Sequence, residues 1–258
     1  MDDLRIALIQ HEIMPNDPEG NLDAFAQLLA EANDCDLVVL PEVFTTGFCA
    51  NARDFAEVVD GRAYQWMAQQ AKQLNAVVTG SLVLKHEDLF YNRMVWMRPD
   101  GSCCHYDKRH LFRMAGEHMR YACGEERIIV ELNGWRILPQ ICYDLRFPVW
   151  SRNRDDYDLA LYVANWPAAR ELHWNRLLQA RAIENLCYVA GINRIGQDEK
   201  QQDYSGDSSV YGPAGQPLVQ ARAMSGCFKS VLSAQVLQDY RENFPAHMDA
   251  DKFDLFFN

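Results

Sequence analysis

The sequence predicts an α/β fold in which two sheets are sandwiched between flanking helices. Three observations carry that prediction. Strand-like and helix-like patterns alternate from one end of the chain to the other. The strand signals are numerous enough for two sheets rather than one. No linker, low-complexity stretch or internal repeat interrupts the 258 residues. A single domain spanning 1–258 is the simplest organisation, and that length can bury a substantial core.

The elements follow in order. Residues 4–10 form a short apolar strand. Asn21 is placed to cap a helix reaching about residue 32, with Leu22, Phe25, Leu28 and Leu29 at helical spacing. Residues 36–42 (DLVVLPE) make an apolar strand that stops at a proline and a carboxylate. Residues 61–74 read as a helix with Trp66, Met67, Ala71 and Leu74 on one face. Two more strands, 76–84 and 92–98, precede a Pro-Asp-Gly turn. The stretch 106–124 is irregular and basic. Residues 135–142 (WRILPQIC) are a strand followed by a helix-like run to about Arg154. A strand at 159–165, a helix at 171–186 and a strand at 187–195 come next. Tyr211 to Gly215 signals a hairpin before a last strand near 228–232. A short helix and an aromatic tail (Phe253, Phe256, Phe257) finish the chain. Something must cover that tail, and residues from about 234 are expected at a subunit interface.

Composition narrows the function. With 36 acidic against 25 basic residues the formal net charge is −11, which argues against a nucleic-acid groove or an anionic membrane surface. The start is acidic and no apolar run approaches a membrane span, so neither a signal peptide nor a transmembrane helix is expected. A cytoplasmic enzyme is the default. Eight cysteines without a C-x-x-C pair read as reduced thiols, and any one of them is most simply a small buried hydrophobe. One segment runs against the acidic balance: Lys108, Arg109, Arg113 and Arg120 face only Glu117. It is either an anion-handling patch or a solvated face.

Three residues stand where buried strands emerge, the place at which a rigid sheet meets an open loop. Glu42 follows VVLP, Cys142 follows WRILPQI, and Lys108 lies in the basic stretch between them. Singly, each has a plain explanation: a surface carboxylate, a core thiol, a solvated lysine. Together they are chemically coherent. A thiol needs a base, a carboxylate can serve, and a lysine can hold the oxyanion of a tetrahedral intermediate. The backbone N–H of Tyr143, next after the thiol, is a second oxyanion donor.

Around these residues the chain resembles the nitrilase, or carbon–nitrogen hydrolase, superfamily over nearly its whole length. The matching segments are LPEVFTTGF at Glu42, YDKRHLF at Lys108 and ILPQICYDLRFP at Cys142. The run from His173 to Asn185 and GDSSVYGPAG at 206–215 match as well. The resemblance implies a four-layer αββα sandwich, subunits paired as a homodimer, a Glu–Lys–Cys triad of Glu42, Lys108 and Cys142, and neither metal nor organic cofactor. A second family glutamate lies seven residues before a glycine and helps to position substrate and water. Glu117, seven before Gly124, matches it; the competing reading is a counter-ion for Arg113 or Arg120.

Within that family, CYDLRFP and the Asn165-Trp166-Pro167 segment look most like the omega-amidases. Those enzymes take a small-molecule substrate, the terminal amide of 2-oxoglutaramate or 2-oxosuccinamate. Arg146, one helical turn beyond Cys142, is positioned to grip a substrate carboxylate, unless it pairs with Asp144 or another acid. Trp166 is either a wall of the pocket or a core residue. Other readings remain: another small amide or a nitrile as substrate, a Cys–His nucleophile, a non-catalytic scaffold, and a metal or redox site built from Cys103, Cys104, His105, His110, His118 and Cys123. The spacing of that last group fits no common zinc pattern.

Overall fold

The computed structural model describes residues 1–48 and 52–255. The chain runs β1 (Leu4–Gln10), α1 (Pro18–Leu29), β2 (Leu37–Val39), α2 (Arg62–Leu74), β3 (Val77–His86), β4 (Leu89–Met97) and β5 (Cys103–Asp107). It continues with β6 (Val130–Leu132), β7 (Trp135–Ile141), α3 (Pro148–Ser151), β8 (Leu159–Ala164), α4 (Glu171–Asn185) and β9 (Tyr188–Asn193). The last elements are β10 (Ile195–Gln197), β11 (Asp203–Ser205), β12 (Ser209–Tyr211), β13 (Pro217–Gln220), β14 (Gly226–Leu232) and α5 (Ala234–Asn243).

Two six-stranded sheets result, ordered β14-β1-β2-β3-β4-β5 and β13-β12-β9-β8-β7-β6, with β10 and β11 as a separate hairpin. Each has a parallel centre: β1, β2 and β3 in one, β7, β8 and β9 in the other. Such strands need helical crossovers, which is why helices cover the outer faces. Period-two alternation sorts the side chains. Leu4, Ile6 and Leu8 join Ile137, Leu159, Leu161 and Val163 between the sheets. Ala7, Ile9 and Val38 point outward onto Leu22, Phe25, Ala63 and Met67 of α1 and α2. Leu138, Ala160 and Tyr162 point outward onto Trp174, Leu178 and Ala182 of α4. The order of layers is helix, sheet, sheet, helix, as the resemblance implied.

Some expectations need correction. Asn21 does not cap α1; Asp17 does, its carboxylate accepting from Gly20 N at 3.0 Å with Pro18 in the first turn. Asn21 is instead buried inside the helix, donating to Met14 O and Thr45 O and so clamping the loop beyond Glu42. The helix-like run after Cys142 is a 3₁₀ segment (Cys142–Arg146) followed by the four-residue α3. Pro148 sets that break, since the residue before a proline avoids helical backbone. Strands β5, β6, β10 and β11 are short and polar enough to have escaped the pattern, while the hairpin signalled from Tyr211 to Gly215 joins β12 to β13.

The tail partly covers itself. Leu237 of α5 is buried, Leu255 packs on the core between the sheets, and the Arg154 guanidinium lies 4.6 Å over the Phe253 ring. Phe256 and Phe257 lie outside the described residues. Among the described residues, no helix is long and apolar enough to cross a membrane.

Candidate active site

The parallel strands of both sheets release their carboxyl ends toward one cavity of about 250 Å³. Glu42 arrives three residues after β2, Cys142 directly after β7, Asn165 directly after β8 and Lys108 directly after β5. Two of these turns are strained. Cys142 has φ of +45° and Val43, next to Glu42, has φ of +40°. β-Branched and bulky residues rarely adopt such backbone, and it persists only where surrounding bonds hold it. At Cys142 the holder is Asp144. Its fully buried carboxylate accepts from Ile141 N at 2.9 Å, Tyr106 OH at 2.8 Å and His110 N at 2.9 Å. One acid thus ties the strand before the thiol to the strand before Lys108.

Glu42, Lys108 and Glu117 are each at most 1% exposed. Lys108 Nζ donates to Glu42 Oε1 at 2.8 Å and to the two Glu117 oxygens at 3.0 and 3.1 Å. Glu42 also accepts from Asn92 Nδ2 and from Asn165 N, both at 2.8 Å. Glu117 Oε2 takes the Phe112 N–H at 2.6 Å. Glu117 is therefore no counter-ion for Arg113 or Arg120; its partner is Lys108. Gly124 marks a close approach. A Cβ there would sit 2.1 Å from Asp107 O, and its N–H donates to Lys108 O at 2.9 Å. That explains why a glycine belongs seven residues after this glutamate.

Burial works to depress the Lys108 ammonium, but Glu117 and Glu42 outweigh it and hold the group well above its usual range. Cys142 lines the same cavity as Glu42 and Lys108, its Sγ 3.9 Å from Asn165 O. Burial first, then the Glu42 charge, push its thiol well above the ordinary range, against a smaller opposing pull from Lys108. The charge count gives the same answer. Two carboxylates face one ammonium, so ionising the thiol would leave the cluster at about −2. The resting group is a thiol. The Tyr143 N–H lies in the first turn of the 3₁₀ segment, where N–H groups lack helical partners.

The less buried part of the cavity wall is cationic. Arg146 lines it and does not pair with Asp144, whose oxygens are already engaged. Its guanidinium lies 4.7 Å over the Trp166 ring and 3.0 Å from His173 Nδ1. Trp166 is both wall and core: it faces the cavity, is 3% exposed, and packs on Trp174. The basic stretch does not act as one patch. Lys108 turns inward, while Arg109 bonds Gly124 O and Arg120 bonds Ala115 O.

Sequence reasoning missed Asn92, Arg170, Tyr204 and the loop from Asp198 to Gln202, all placed at or beside this cavity. A more open groove of about 1120 Å³ shares only Tyr143 with it and contains none of Glu42, Lys108 or Cys142. It holds His105, His110, His118 and Cys123 in its walls. Among the described residues, however, no three histidine, cysteine or carboxylate side chains are grouped to hold a metal ion.

The carbon–nitrogen hydrolase family model matches residues 5–243. The omega-amidase YafV of Yersinia enterocolitica is 50% identical, the alignment covering 98% of this chain and 99% of that one. A 2-oxoglutaramate amidase of Bacillus subtilis is 33% identical over 96% of this chain and 97% of its own length. Among solved structures, a CN-hydrolase superfamily protein of Xanthomonas campestris with an arsenic adduct in its active site superposes with a TM-score of 0.98. It is 50% identical, and the match covers 99% of this chain and 100% of that one.

Proposed function

The chain belongs to the carbon–nitrogen hydrolase family, and on that footing we propose that it is an omega-amidase. It hydrolyses the terminal amide of 2-oxoglutaramate or 2-oxosuccinamate to the 2-oxo dicarboxylic acid and ammonia. The observation that carries this reading is that one cavity is lined both by the buried Glu42 and Lys108 with Cys142 and by the half-buried Arg146, which has no carboxylate partner among the described residues.

Cys142 attacks the amide carbon as a thiol, giving its proton to Glu42 as the carbon–sulfur bond forms. Transfer to Glu42 keeps the cluster's charge constant, which a free thiolate would not. Lys108 has three N–H bonds. One goes to Glu42 and one is shared by the two Glu117 oxygens, which leaves the third for the oxyanion, with the Tyr143 N–H as second donor. Glu42 returns the proton to the departing nitrogen, releasing ammonia and leaving a thioester. It then takes a proton from water as the hydroxyl adds, and sulfur leaves as the thiol. Glu117 acts by fixing Lys108, while Trp166 and Arg146 place the far carboxylate so that the amide lies over sulfur.

The same reading takes the enzyme as a cytoplasmic homodimer. Supporting the pairing, Leu172 and Ile183 of α4 and Phe244 and Met248 in the tail are exposed. Sedimentation at dimer mass is the expected result.

The test of the substrate is ammonia release from 2-oxoglutaramate, 2-oxosuccinamate, glutamine, asparagine and a simple nitrile. The two 2-oxo amides should be the best substrates. A neutral amide or a nitrile turning over faster than either would overturn the assignment.

A further inference from the structure

Arg146 is not the only cation at the far end of the cavity. Arg170, in the turn that leads into α4, lines it as well, its guanidinium 5.5 Å over the Phe112 ring. Trp166 links the two: its ring carries Arg146, and its indole N–H donates to Arg170 O at 2.8 Å. After burial, the Arg170 charge is the largest influence pulling Arg146 below the ordinary guanidinium range. Neither arginine has an ion-pair partner among the described residues. The cavity's remaining carboxylate, Asp198, accepts from Lys200 N at 2.8 Å, Gln202 N at 3.0 Å and Tyr204 OH at 3.1 Å. Its oxygens are engaged in holding its own turn. Two like charges facing one small cavity repel each other, and an anion between them relieves that repulsion.

Resting on the omega-amidase reading, we propose that Arg146 and Arg170 form a two-arginine clamp on the 2-oxo acid group, and that Arg170 sets the preference for a 2-oxo over a 2-amino acid. A 2-oxo acid presents acceptor oxygens on two adjacent carbons. One guanidinium fork takes the carboxylate edge; the other spans a carboxylate oxygen and the keto oxygen. An ammonium at the same carbon replaces that acceptor with donors and adds a positive charge against two guanidiniums. The clamp therefore rejects it by repulsion as well as by a lost bond.

The test compares three substrates that share one amide end: 2-oxoglutaramate, glutamine, and 4-carbamoylbutanoate, which carries nothing at the second carbon. Values of kcat/KM are measured for the wild type, Arg170→Gln and Arg170→Lys, with thermal melts to confirm folding. The wild type should prefer 2-oxoglutaramate to glutamine by about 100-fold or more. Arg170→Gln should lower 2-oxoglutaramate turnover by roughly 10- to 100-fold while glutamine is not lowered, so the preference collapses. Arg170→Lys keeps the charge but not the fork, so glutamine stays poor while 2-oxoglutaramate still weakens. An equal fall on all three substrates, or no change on any, would overturn the role of Arg170. A wild type that does not favour 2-oxoglutaramate over 4-carbamoylbutanoate fails at the omega-amidase reading itself, whatever Arg170→Gln does.

Discussion

The two ends of the cavity are built on opposite principles. At the floor, the charges of Glu42, Lys108 and Glu117 are buried, mutually paired and bonded to named donors. At the far end, Arg146 and Arg170 are half-buried, rest on aromatic rings, and have no ion-pair partner among the described residues. A buried charge that has its partners is already arranged for chemistry and costs little to use. A cation held on an indole face without a counter-ion is arranged for a ligand that brings one. On the proposed reading, the first set of charges carries the reaction and the second selects the substrate.

Breaking the floor should have the largest effect. Lys108→Ala leaves Glu42 and Glu117 buried together without a cation, so it should abolish turnover and cost about 3–5 kcal/mol of stability in a denaturant titration. Glu42→Gln keeps the shape and leaves Glu117 paired with Lys108. Its kcat should fall by about 10²–10⁴-fold with a much smaller stability change, which separates proton transfer from structure. At the other end, Arg146→Lys should raise the KM for 2-oxoglutaramate by roughly 10-fold or more while a neutral short amide changes little. Equal effects on both substrates would remove the distinction between the two ends.

The smallest effect sharpens the electrostatics. Burial and Glu42 raise the Cys142 thiol, so the wild-type rate of iodoacetamide alkylation should keep climbing above pH ~8.5, the usual thiol midpoint. Removing the Glu42 charge lets Lys108 weigh more heavily, so in Glu42→Gln the alkylation midpoint should move to lower pH. A midpoint that moves up, or stays, would mean that Glu42 does not govern the thiol.

The floor was legible in the sequence because strand ends are legible. An apolar run that stops at Glu42 or Cys142 announces both the strand and the polar residue that follows it, and Lys108 and Glu117 came with recognisable motifs. The far end was half legible. Arg146 lies one turn from Cys142, but Arg170 follows a strand end by six residues and reaches the cavity only because the turn before α4 folds back. The strand-end rule applied to β8 would have found Asn165, whose N–H meets Glu42. Asn92 gave no local signal. It sits inside β4 and meets Glu42 across the sheet. The hairpin of β10 and β11 was hidden by its polar run, since a strand half in solvent lacks the apolar alternation that betrays one.

The central claim is that Cys142 carries the acyl group, with its proton passing to Glu42. Rapid quenching of wild-type enzyme mixed with 2-oxoglutaramate, followed by peptide mass analysis, tests it most directly. The peptide containing Cys142 should carry the 2-oxo dicarboxylic acyl group as a thioester, with ammonia released before the acid, and Cys142→Ala should show neither. Ammonia released at the wild-type rate from Cys142→Ala, or an acyl group found on any other of the eight cysteines, would contradict the account.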